Sequence, residues 1–164
     1  MKLTGRQQEI LTAALKLLAD GGMQNLTIRN LAEKLNITEL YIDPADSAMY
    51  ASPANCFPPY LPAAENLLTP SEWPPQTPDF EILHTPGHTP GGVCYYFREY
   101  NALFTGDTLF RASVGRTDFP GGDTATLMES ISGRLMTLPD SLEIYPGHGY
   151  PSTIGFEKQN NPYL

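Results

Sequence analysis

Nine of the chain's 16 prolines fall in one stretch, at Pro44, Pro53, Pro58, Pro59, Pro62, Pro70, Pro74, Pro75 and Pro78. No other feature limits the fold as strongly. A proline fixes its own φ, lacks an amide donor and clashes with the preceding helical turn. This stretch can hold turns and extended pieces but no long helix. Regular structure must lie on either side of it, and the two sides differ in style.

The first side is helical. Over residues 6–19, Ile10, Leu11, Ala14, Leu15 and Leu18 recur at three- and four-residue spacing, and Gly21-Gly22 supply a stop. Thr27 is a candidate cap for a second helix with Ile28, Leu31, Ala32 and Leu35 on one face. Asn36 then turns the chain, and Ile37-Thr38-Glu39 resembles the opening of a third helix. The first residues do not read as a signal peptide, because Glu9 and Lys16 interrupt the apolar run and no small-residue cleavage site follows. No run approaches the roughly 20 apolar residues of a membrane span.

The second side is built of short apolar runs between glycines and prolines. "FEILHT" (80–85), "GVCYYF" (92–97), "NALFTG" (101–106) and "LEIYPG" (142–147) are strand candidates. Asp123 is placed to cap a helix over 124–137 whose apolar stripe is Leu127, Ile131, Leu135 and Leu138. Strand, strand, helix, strand is an α/β pattern. At 164 residues the chain fits one ordinary domain, or a small domain plus a fragment.

Charge separates the two sides as well. Residues 1–39 hold five basic and four acidic side chains, a balance of +1, so the whole-chain charge of −8 leaves −9 on the remainder. An acidic body argues against nucleic acid as the main partner, since phosphate binding needs clustered positive charge. The two cysteines, Cys56 and Cys94, form neither a disulfide framework nor a closely spaced metal pair, which points to a cytosolic, cytoplasmic location.

Three turns share one logic. In "HTPGHTPGG", "LFTGDTLF" and "IYPGHGYPST" an apolar strand runs into a tight Gly or Pro turn, and the turn carries His88, Asp107 or His148. A strand end fixes the backbone, and glycine lets it bend so that the side chain points off the sheet. Imidazole nitrogen and carboxylate oxygen are ligands that zinc accepts. Two of the chain's three histidines lie on these turns.

The blocks "ILHTPGHTPGGVCYYF", "ALFTGDTLFRASVGRTDFPGGD", "LEIYPGHG" and "STIGFEKQNNPYL" resemble the second half of a metallo-β-lactamase-fold hydrolase. The nearest branch is hydroxyacylglutathione hydrolase, or glyoxalase II. The resemblance implies an α/β fold, the later half of an αββα sandwich. It implies that His88 belongs to a first metal site, that Asp107 bridges two metals, and that His148 belongs to a second site. His84 matches a position that does not ligate. The implied cofactor is zinc, iron or manganese, and the implied chemistry is hydrolysis of a thioester or related small molecule by a metal-activated water. The family's H-x-H-x-D-H motif has no counterpart, because no histidine precedes His84. The remaining ligand set is incomplete, which implies weak or absent metal binding; a single ion would have to take His88, Asp107 and His148 together.

Where that motif would stand, "ILTAALKLLADGGMQNLTIRNLAEKLNITE" resembles the start of a TetR-type DNA-binding domain. The sequence thus divides at residues 39 and 40 into a TetR-like helical segment, an incomplete helix-turn-helix, and a metallo-β-lactamase-like region over 40–164. The recognition helix is missing, since "LYIDPADSAMY" follows, with Pro44 breaking a helix and Asp43 and Asp46 repelling phosphate. Three readings stay open: a metal-dependent hydrolase, a non-catalytic chimeric or truncated protein, and a TetR-like DNA-binding regulator. A half-fold would expose apolar sheet and favour homo-oligomers. Among other polar residues, Arg116 and Asp118 read as a loop brace, Glu157 as a helix-surface or loop-anchoring residue, Tyr145 as core, and Cys94 as a small buried hydrophobe.

Overall fold

The strand candidates assemble into one sheet in the computed structural model, which describes residues 5–21, 34–35, 41–52, 69–70 and 80–164. The chain parts into two compact units, residues 1–40 with 68–71, and residues 41–67 with 72–164. In the first unit, helix α1 spans Gly5–Gly21. Its buried side includes Ala13, whereas Leu15, expected on the apolar stripe, is 56% exposed. The second helix expected from Thr27, and the TetR-like hairpin that depends on it, lie almost wholly outside the described residues.

In the second unit a 3-10 turn over Pro44–Asp46 leads into a single turn of helix, α2 (Ser47–Tyr50). This is as much helix as the proline-rich stretch shows among its described residues. The main sheet takes β1 (Glu81–His84), β2 (Val93–Phe97) and β3 (Ala102–Gly106). It is completed by β6 (Glu143–Pro146) and β7 (Ser152–Thr153), in the order β1-β2-β3-β6-β7. A two-stranded hairpin, β4 (Leu109–Phe110) and β5 (Ser113–Val114), stands apart from it. The hairpin, β7 and the last helix, α4 (Ile154–Asn160), are elements that hydrophobic periodicity did not reveal.

Strand direction decides where the turns go. β1 is antiparallel to β2, β2 is antiparallel to β3, and β3 is parallel to β6. So β1, β3 and β6 run the same way, and their C-terminal ends lie at one end of the sheet. The parallel pair is joined through helix α3 (Thr124–Ser130), which continues as a π-helical turn over Ile131–Leu135. The expected helix of 124–137 is present, but its second half is widened by that turn. Asp123 caps it as expected, accepting from Thr126 N at 2.7 Å, a bond that also holds the Asp123 carboxyl below its usual range.

Alternation sorts the two sheet faces. Cys94, Tyr96, Leu103 and Ile144 point inward to meet Leu127, Ile131 and Leu135 of the α3 segment, with Leu109, Leu142 and Ile154 closing the core. Each fully buried aliphatic side chain contributes about 1.5–3 kcal/mol of transfer free energy. Cys94 is fully buried, and burial pushes its thiol up to about 11, in keeping with a small hydrophobe. The opposite face carries Tyr95, Phe104 and Tyr145 in register. Phe104 is 45% exposed and stacks on Tyr145, with ring centroids 5.4 Å apart.

Tyr145 therefore does not join the core, contrary to expectation. Ile144 takes the inward position on β6, so its neighbour must point to the other face. Its hydroxyl donates to Glu143 at 2.5 Å. Among the described residues no helix is long and apolar enough to cross a membrane.

Candidate functional site

Three turns follow the co-directional ends of β1, β3 and β6, which brings His88, Asp107 and His148 together beside one cleft. The cleft has a volume of about 490 Å³ and is bordered also by Phe110, Arg111, Arg116, Phe119 and Tyr150. Asp107 stands in the middle. His88 Nε2 lies 3.7 Å from its Oδ2, and His148 Nε2 lies 3.8 Å from its Oδ1. Each imidazole thus faces a different oxygen of one carboxylate.

Backbone without side chains makes room for Asp107. A Cβ at Gly147 would come within 2.5 Å of Asp107 Oδ1, and one at Gly115 within 1.9 Å of the Asp107 carbonyl oxygen. Gly147 N also donates to Gly106 O at 2.8 Å, tying the β6 turn to the β3 turn. These glycines in "VGRTD" and "PGHG" are required by close approach.

The His88 side is fixed from several directions. Its Nδ1 donates to the Arg116 carbonyl at 2.7 Å, and the Phe119 ring meets the imidazole edge-on with centroids 5.4 Å apart. With Nδ1 committed as donor, a neutral ring turns the Nε2 lone pair toward the carboxylate. Arg116 in turn is gripped by Asp118, its Nε and Nη2 donating to the two carboxylate oxygens at 2.5 Å each. That hydrogen bonding holds the Asp118 carboxyl down at about 2. The guanidinium also covers the Phe119 ring at 4.4 Å. Arg116 and Asp118 are the expected loop brace, and through Arg116 O they reach His88.

The segment before β1 adds a second brace. Asp46 accepts from Thr89 Oγ1 and from Gly91 N, each at 2.7 Å. His84 Nδ1 lies 3.3 Å from Asp43 Oδ2, in line with a polar role beside the site. Sequence reading had assigned Asp43 and Asp46 only a repulsive effect on phosphate. Asp43 also caps the 3-10 turn locally, accepting from Ala45 N at 2.9 Å, but the partners near the site are more than 40 residues away, and no local signal announces them.

The His148 side is open. His148 is 74% exposed, against 18% for His88, and its ring stacks on Phe110 with centroids 4.3 Å apart and planes 29° apart. Phe110, Arg111, Phe119 and Tyr150 are cleft residues that the sequence reading did not single out; Phe110 ends the quoted "GDTLF" and could have been suspected from that position.

Zinc, iron and manganese accept imidazole and carboxylate donors, and this cleft offers them in facing pairs. Two donors about 2.0–2.2 Å from one ion at a tetrahedral angle lie roughly 3.3–3.6 Å apart. The observed 3.7 and 3.8 Å separations are slightly wider. Among the described residues, no three His, Cys, Asp or Glu side chains form a group that could hold an ion by themselves. The donor set fits a metal on each side of Asp107, each side being partial, and does not fit the one-ion arrangement of all three residues.

Comparison with known proteins gives the family. The family description "Metallo-beta-lactamase superfamily" matches residues 29–148, so the match starts ahead of the division expected at residues 39 and 40. The hydroxyacylglutathione hydrolase GloC of Haemophilus influenzae is 52% identical over 86 residues, 52% of this chain and 41% of its own length. The probable metallo-hydrolase YqgX of Bacillus subtilis is 43% identical over 84 residues, 51% of this chain and 40% of its own. The chain spans about four-tenths of the length of these curated relatives.

Among solved structures, TTHA1623 in a di-iron-bound form aligns with a TM-score of 0.71 at 36% identity. That alignment covers 84% of this chain and 70% of TTHA1623. The BLEG-1 B3 metallo-beta-lactamase aligns with a TM-score of 0.68 at 33% identity, covering 82% of this chain and 68% of its own. The matched family span takes in His88, Asp107 and His148 with the strands that carry them, and the chain belongs to the metallo-beta-lactamase superfamily.

Proposed function

We propose that this chain carries the Asp107-centred part of a two-metal hydrolase site, acting on thioesters of the hydroxyacylglutathione type. His88 and Asp107 would hold one ion, and Asp107 and His148 the other, zinc, iron or manganese being suited to these donors. The observation that carries the reading is the opposition of two imidazoles to the two oxygens of one carboxylate. A metal bound there would lower the pKa of its water and polarise a carbonyl oxygen. The chain's own residues do the rest. Arg116 O keeps the His88 proton on Nδ1, the glycine backbones hold Asp107 between the histidines, and Phe110 and Phe119 wall the cleft.

The similarity to GloC supports the thioester, and the di-iron form of TTHA1623 supports a metal pair. The test is hydrolysis of a hydroxyacylglutathione thioester by protein reloaded with zinc or iron. Activity should appear in the wild type and be lost in Asp107→Asn; an inactive wild type would sink the activity claim. A second reading, a non-catalytic member of the superfamily, is favoured by the partial donor set on each side of Asp107. It predicts folded protein, weak metal binding and no turnover.

A further inference from the structure

Among the described residues, a buried acidic side chain with three hydrogen-bond donors lies outside the cleft. Glu157 on α4 is fully buried, so the reading of it as a helix-surface residue is wrong and the loop-anchoring reading holds. A buried carboxylate is costly unless every lone pair finds a donor. Here the Ala112 amide donates at 2.9 Å, Asn161 Nδ2 donates at 2.8 Å, and the Ser152 hydroxyl donates to the other oxygen.

These partners belong to elements that carry the site. Ala112 sits between β4 and β5 with φ of +56°, a left-handed conformation unusual for a residue with a side chain. The same turn is gripped twice more, by the residue that caps the end of α4 and by α4 itself. Asn161 Nδ2 also donates to Ser113 O at 3.0 Å, and the Arg111 guanidinium covers the Phe156 ring at 4.7 Å. Two residues before Ala112 stands Phe110, whose ring lies on His148. Ser152 stands four residues after His148 on the other side.

We infer that Glu157 is a positioning residue for His148, fixing the strained Ala112 turn and Ser152 so that Phe110 holds the exposed imidazole facing Asp107 Oδ1. The inference rests on the proposed metal role of His148 for its purpose, but its geometry can be tested without metal. The measurement is the ring-proton NMR shift of the three histidines in metal-free wild type and Glu157→Gln, assigned by single histidine substitutions. An aromatic ring stacked on an imidazole shields its protons. Glu157→Gln turns an NH2 group toward donors, so the upfield displacement of His148 should be lost while His88 keeps its wild-type shift.

Should Glu157→Gln not fold, Asn161→Ala, which removes one donor and the Ser113 tie, should move His148 in the same sense. Lys158→Ala is the control, since Lys158 lies on the same helix but its ammonium donates elsewhere, to Asp140 at 2.5 Å and to Leu138 O at 3.3 Å. It should leave His148 unchanged. An unchanged His148 in both Glu157→Gln and Asn161→Ala, or an equal displacement in Lys158→Ala, would overturn the inference. Zinc titration of the same proteins separates the two claims. Wild type that keeps the His148 shift but takes up no zinc would refute the hydrolase reading alone. Wild type that binds zinc, with Glu157→Gln binding at least tenfold more weakly, would join positioning to metal binding.

Discussion

His88 and His148 face the same carboxylate from opposite sides, yet the protein treats them differently. His88 is mostly covered, its Nδ1 tied to a carbonyl and its ring met by Phe119. His148 is mostly exposed and rests on one stacked ring. The difference follows from what stands beside each turn. The β1 turn is flanked by the Arg116–Asp118 loop and by Asp46, whereas the β6 turn leads outward to β7 and depends on α4 for support. One side is organised before any ligand arrives, and the other is held through a relay of contacts. Preorganised donors lose less freedom on binding, so the two sides should differ in metal affinity.

The most disruptive way to test this contrast is to remove what both sides share. Gly115→Ala places a Cβ 1.9 Å from the Asp107 carbonyl oxygen. Backbone must move, and the expected loss is about 3 kcal/mol of stability by urea unfolding, with metal binding lost on both sides. A core substitution away from the cleft is the reference. Leu103→Ala should cost about 2–5 kcal/mol, yet leave the ratio of the two histidines' contributions unchanged in the surviving folded protein.

The direct break of the comparison comes next. His88→Ala should weaken zinc binding about tenfold more than His148→Ala, within the 10–100-fold range typical when groups around a metal are lost. Competition with a chromophoric chelator reads the difference, and equal losses would erase the distinction between prepared and open sides. Phe110→Ala should then sharpen it. Removing the stacked ring should cost about 1 kcal/mol in stability and weaken only the His148 side.

The smallest expected effect concerns pH. Asp118 has its folded-state pKa held at about 2 by Arg116, below the ordinary value of 3.8. A depressed carboxylate contributes stability that is present above the unfolded value and lost as pH falls through the folded one. The brace on His88 should therefore persist at pH 4 and fail between 3.8 and about 2. Solvent screens this exposed pair, so the melting temperature should barely respond. The Arg116 Nε–H resonance should report the change instead, and its loss already at pH 5 would contradict the assignment.

Much of the site was legible because its residues sit close in sequence to the strand ends that place them. His88, Asp107 and His148 each follow an apolar run that reads as a strand, and the glycines beside them mark sharp turns. Whether those turns would converge was a matter of strand direction, which the α3 crossover between β3 and β6 settles. The contacts that hold these three side chains were not legible. Glu157 reaches Ala112 across 45 residues, and Asp46 reaches Thr89 across 43; a carboxylate in a polar helix gives no sign of such partners. Tyr145 shows a different limit. In the four-residue strand EIYP, alternation allows either Ile144 or Tyr145 to face inward, and only packing against the α3 segment decides.

The most direct test of the account is a cobalt(II) titration of the wild type and Asp107→Asn, followed by visible absorption, with circular dichroism to show that both remain folded. The account predicts a ligand-field band in the wild type that depends on His88 and disappears in Asp107→Asn. A wild-type protein without that band, or an Asp107→Asn protein that gives it unchanged, would contradict the placing of Asp107 between two metal-binding histidines.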